Sequence, residues 1–75
     1  MFRTRFYALP TSLAEVKEFA TLADARAYIA SKVDAGERGY AHGLIDFRGW
    51  CVAEQYLKKE NGSVTREEGE ENWHA

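Results

Sequence analysis

The side chains able to do chemistry are few: two histidines, one cysteine and twelve carboxylates. His42, Asp46 and Cys51 can be placed on one face of a sheet. A metal site, however, needs three or four ligands converging on one point. His42 and Cys51 stand several rungs apart in the expected hairpin, with Leu44 and Ala53 between them. The same spacing separates a Cys/His pair that would need hydrogen-bond reach to make a nucleophile. Cys51, beside a turn, reads as a small apolar filler. The glycines at 36, 39, 43, 49, 62 and 69 follow no phosphate-cradling pattern; caps, turns and a strand crossing account for them. The carboxylates read as exposed helix positions or as part of the C-terminal segment, with no pair tuned in an apolar pocket for acid/base work. The expectation is a protein that is not an enzyme and holds no metal or cofactor.

A chain of 75 residues and 8.5 kDa makes one small domain. At this size only about 60% of the unfolded surface can be buried, which leaves little room for a deep cleft. No apolar run approaches the roughly 18 residues needed to span a bilayer, so no membrane partner is expected. The first ten residues, broken by Arg3 and Arg5, do not read as a signal peptide. A lone cysteine builds no disulfide framework, which favours a cytoplasmic setting. Charge is uneven. Residues 1–59 carry nine Lys/Arg and seven Asp/Glu, whereas residues 60–75 carry one Arg and five Glu. The body is mildly basic and the end is acidic.

The elements that must position any site follow from periodicity. Phe2 to Leu9 alternates with period two, with Phe2, Thr4, Phe6 and Ala8 on the inner face. Residues 13–19 read two ways. Ser12 with Glu15 makes a capping box, but Thr21 with Asp24 is a second cap nine residues on, and a strand paired with the first is preferred. Thr21 to Asp34 predicts a helix with Leu22, Ala25, Ile29 and Val33 in one stripe. Tyr40–Phe47 and Trp50–Leu57 predict a hairpin around Arg48-Gly49, with Phe47 opposite Trp50 and Ile45 opposite Val52. After Asn61-Gly62, residues 63–67 can return as a short edge strand. The fold class is α+β: two layers, an antiparallel sheet of about four strands in ββαββ order, a short fifth strand allowed, and one helix on one face. The domain is expected over residues 1–67, with an acidic, flexible tail at 68–75. The expected core is Phe2, Phe6, Val16, Leu22, Ala25, Ile29, Val33, Ile45, Phe47, Trp50 and Val52.

A helix over one face leaves Arg3, Arg5, Tyr7, Tyr40, His42 and Leu44 on the other, beside Cys51, Ala53, Gln55 and Leu57. That mixture is too apolar to be left wet without use. It could pair with itself in a homodimer or anchor a protein partner. It could also stack single-stranded bases on Tyr7 and Tyr40 with Arg3 and Arg5 on phosphates. The sequence pI of 5.6 and the acidic end oppose direct nucleic-acid binding. Glu67, Glu68, Glu70, Glu71 and Trp73 complete the candidate contacts.

Glu18-Phe19-Ala20-Thr21-Leu22-Ala23-Asp24-Ala25-Arg26-Ala27-Tyr28, a strand end running into a helix, resembles small proteins of phages and other mobile elements, anti-CRISPR proteins among them. The hairpin Gly43-Leu44-Ile45-Asp46-Phe47-Arg48-Gly49-Trp50 fits the same layout. The resemblance implies a stoichiometric, non-enzymatic inhibitor or modulator. Its partner would be a larger bacterial protein or protein–nucleic acid complex, and acidic side chains would imitate phosphates.

Overall fold

The structure, a computed structural model, describes residues 1–48 and 51–69. In chain order the elements are β1 (Phe2–Tyr7), β2 (Glu15–Phe19), α1 (Leu22–Asp34), β3 (His42–Phe47), β4 (Cys51–Lys58) and β5 (Val64–Glu68). They form one five-stranded sheet in the order β2-β1-β3-β4-β5, with every neighbouring pair antiparallel. This is the two-layer α+β fold in the expected ββαββ order, and the short fifth strand is present. β2 and β3 are both antiparallel to β1, so they run parallel to each other. α1 is thus the crossover of a split β-α-β unit, and crossing to a parallel strand is the job that requires a helix of this length.

Thr21 caps α1 by accepting a hydrogen bond from the Asp24 amide at 3.2 Å. Ala25, Ile29 and Val33, four residues apart, are its fully buried stripe. The helix sits directly on β3 at Gly43. A Cβ there would lie 2.5 Å from Ile29 Cγ1 and 2.8 Å from Val33 Cγ2. The core gathers these residues with Phe6, Ala41, Ile45 and Tyr56, while Phe2, Phe19, Leu22 and Val64 pack at its margin.

Two expectations about register need correction. Val16 is not in the core; it is 53% exposed. Pairing with β1 sets Glu15, Lys17 and Phe19 on the helix side, opposite Phe6, Thr4 and Phe2, and turns Val16 to the open face opposite Arg5. The β3–β4 hairpin is also set differently. Phe47 pairs with Cys51, Asp46 with Val52 and Ile45 with Glu54, so Ala53 is the extra residue of a β-bulge. The pairings expected from a tight two-residue turn, Ile45 with Val52 and Phe47 with Trp50, are therefore replaced, and Trp50 lies outside the described residues. Gly69 closes on the bulge. Its amide donates to the Ala53 carbonyl at 2.8 Å, and a Cβ on Gly69 would collide with the Val52 carbonyl. Glu68, expected in the tail, is the last residue of β5.

Replacing Gly43 by alanine should force α1 away from the sheet. A loss of about 1–3 kcal/mol is expected from such overpacking, read as a lower urea midpoint with unchanged slope. An unaltered midpoint would mean that the helix is not seated on this residue.

Candidate functional site

The open face is organised by one buried carboxylate. Asp46 stands opposite Arg3 on the neighbouring strand, with Arg5 one rung further along the same face. Arg5 grips it with two bonds, Nε to Oδ2 at 2.7 Å and Nη2 to Oδ1 at 2.7 Å. Arg3 Nε adds a third to Oδ2 at 3.1 Å. The Asp46 side chain is fully buried beneath them. A two-point Arg–carboxylate grip of this kind is directional and charge-assisted. Its hydrogen bond to Asp46 raises the Arg5 pKa above the ordinary value, although burial opposes this.

Next to this fork lies a shallow, open groove of about 470 Å³ lined by Tyr7, Pro10, Tyr40, His42, Leu44 and Leu57. Tyr7 and His42 are paired across β1 and β3, and their rings stack with centroids 6.2 Å apart. His42 Nε2 lies 3.2 Å from Gln55 Oε1, which requires that nitrogen to carry its hydrogen. The Gln55 amide in turn donates to Glu67 at 3.4 Å. A polar chain thus runs from the groove to the acidic strand β5. Tyr40, expected within the strand, sits in the turn before it and is 52% exposed. Leu9 on the adjoining loop is exposed too.

The helix side holds a second buried carboxylate that the sequence reading placed on the surface. The bulge brings Glu54 opposite Ile45, beneath α1. Arg26 of α1 donates to it from Nε at 2.9 Å and from Nη2 at 2.5 Å. Arg66 of β5 donates at 2.7 Å and the Tyr56 hydroxyl at 3.1 Å. Burial pushes the Glu54 pKa up, but hydrogen bonds from Arg26 and Tyr56 and the charges of Arg26 and Arg66 outweigh it, so the carboxyl is held below its ordinary value. Tyr56 is pushed up to about 12 by burial and by the negative charge of Glu54. This cluster spans helix, β4 and β5, and every donor in it points at the carboxylate. It reads as a brace for the fold.

Of the candidate contacts, Tyr7, Tyr40, His42 and Leu44 line the groove together. Arg3 and Arg5 lie beside it but point at Asp46. Leu44 is only 9% exposed, so it forms the floor and does not project. Glu67 and Glu68 are on β5. Glu70, Glu71 and Trp73 lie outside the described residues. Pro10 was not among the expected contacts; it lines the groove from the turn three residues beyond the end of β1. Cys51 is exposed and pairs with Phe47, a register that removes it from the His42 and Asp46 face. Among the described residues no group of three His, Cys, Asp or Glu side chains is placed to hold a metal ion, and no helix is long and apolar enough to cross a membrane. Comparison with protein-family models, with curated proteins and with solved structures gave no match.

Because folding lowers the Glu54 pKa, its contribution to stability is complete above the ordinary glutamate value and is lost as pH falls through the folded-state value. Glu54→Gln should therefore be less stable than the wild type at pH 7, by about 1–3 kcal/mol. The gap should narrow as pH drops below the ordinary glutamate value of about 4.3, where the unfolded chain takes up a proton that the folded carboxylate still refuses. Parallel thermal melts between neutral and acid pH check this; a constant gap would show that folding does not lower the Glu54 pKa.

Proposed function

We propose that this protein is a non-enzymatic, protein-binding inhibitor or modulator that acts on a larger bacterial protein or protein–nucleic acid complex. The observation that carries the reading is the aromatic groove of Tyr7, Tyr40 and His42, bordered by Leu57 and by the acidic strand bearing Glu67. Tyrosines at a shallow apolar depression are the side chains that anchor protein interfaces at low entropic cost. The carboxylate of Glu67 at its border, opposite Gln55 on the same face, favours a target with a basic surface, such as one that receives nucleic acid. That agrees with the phage and mobile-element proteins, anti-CRISPR proteins included, that the chain resembles, and a cytoplasmic setting goes with such a target.

The alternatives use the same face less well. Direct nucleic-acid binding requires arginines turned outward to phosphates, yet Arg3 and Arg5 both donate to Asp46. A homodimer across the open sheet face would need Leu44 to project, and it is buried.

The test is capture of partners from bacterial lysate with and without nuclease, using wild-type protein and the folded variants Tyr40→Asp and Leu57→Lys. One partner retained after nuclease and weakened about tenfold or more by either variant is expected. Loss of all partners after nuclease, or capture indifferent to both substitutions, would overturn the reading.

A further inference from the structure

β2 ends the sheet, and no described strand pairs with its outer edge. Such an edge offers an unpaired ladder of backbone groups to any extended chain. Its side chains are Glu15, Val16, Lys17, Glu18 and Phe19. Val16 is 53% exposed, and Leu13, just before the strand, is 95% exposed. A valine on an open edge beside a bare leucine is costly to leave in water, whereas the charges around it discourage pairing with an arbitrary strand.

We propose that this edge is a self-association surface, on which two copies pair antiparallel through β2 about a two-fold axis at Val16. The charge order selects this register. Centred on Val16, each Glu15 stands opposite the second copy's Lys17, Val16 meets Val16, and Leu13 meets Phe19. Directly opposed side chains in an antiparallel pair are close enough to interact, so opposite charges favour the pairing. Centred on Lys17, the pairing sets lysine against lysine. Centred between Val16 and Lys17, it sets Glu15 against Glu18. A register centred between Lys17 and Glu18 pairs opposite charges but leaves Leu13 uncovered and turns the two helices to opposite faces. The Val16 register keeps both helices on one side of a continuous ten-stranded sheet. It also brings together the side chains that already face α1: Glu15, which accepts from the Tyr28 hydroxyl and pairs with Lys32 at 3.3 Å, and Lys17, which lies 4.8 Å from the centre of the Tyr28 ring. The contact is isologous and closes on itself, so it yields a dimer and not a fibre. It leaves the aromatic groove outside the interface and stands independently of the function proposed above.

Sedimentation equilibrium over a wide concentration series tests it. A monomer–dimer equilibrium is expected for the wild type. Val16→Asp places two carboxylates face to face on the axis and should leave only monomer, with the circular dichroism of the fold intact. Lys17→Glu should weaken the dimer about tenfold or more, and the double exchange Glu15→Lys with Lys17→Glu should restore it to within about threefold. A wild type that stays monomeric throughout, a dimer that survives Val16→Asp, or a double exchange that fails to restore association would each overturn the proposal.

Discussion

Two buried carboxylates, one on each face of the sheet, set the electrostatics on which everything else depends. A lone charge in such a place would cost several kcal/mol, and neither is alone. Asp46 is gripped by Arg3 and Arg5 of β1, Glu54 by Arg26 of α1 and Arg66 of β5. Each fork ties together elements distant in sequence: β1 to β3 on the open face, and helix to β4 and β5 on the other. Four of the six arginines are committed in this way. The nearly balanced composition therefore conceals a strong internal organisation of charge.

The functional consequence lies on the open face. With its two arginines turned inward to Asp46, the sheet presents aromatic rings and leucine where a nucleic-acid platform would present cations. The polar chain from His42 through Gln55 then ends on the Glu67 carboxylate at the border. The face is apolar at its centre and carries Glu67 at its β5 edge.

Much of this arrangement was legible in the sequence because it rests on local patterns. The alternation of Phe2, Thr4 and Phe6, the Thr21–Asp24 cap and the Ala25–Ile29–Val33 stripe each depend only on nearby residues. The bulge at Ala53 does not. It goes with the closure of β5 onto β4 and with the fit of Gly69 against Val52, a contact between residues seventeen apart. Missing it moved Val52 into the expected core and left Glu54 outside it. A signal for both carboxylates was nonetheless present. Asp46 interrupts Leu44-Ile45-Phe47, and Glu54 interrupts Val52-Ala53 and Tyr56-Leu57. A single acid inside an apolar run, in a chain with arginines at mid-strand and mid-helix, points to a buried pair. Val16 was misassigned because an edge strand with alternating charge gives little information on which face is covered.

The measurement closest to the centre of this account is a thermodynamic cycle at the open-face fork. Unfolding free energies would be compared for Arg3→Ala with Arg5→Ala, first in the wild type and then in an Asp46→Asn background. Removing both arginines should cost about 3–5 kcal/mol while Asp46 is charged, and far less once it is neutral. Small and equal losses in the two backgrounds would mean that the arginines are not committed to Asp46. The open face would then be free to meet phosphates after all.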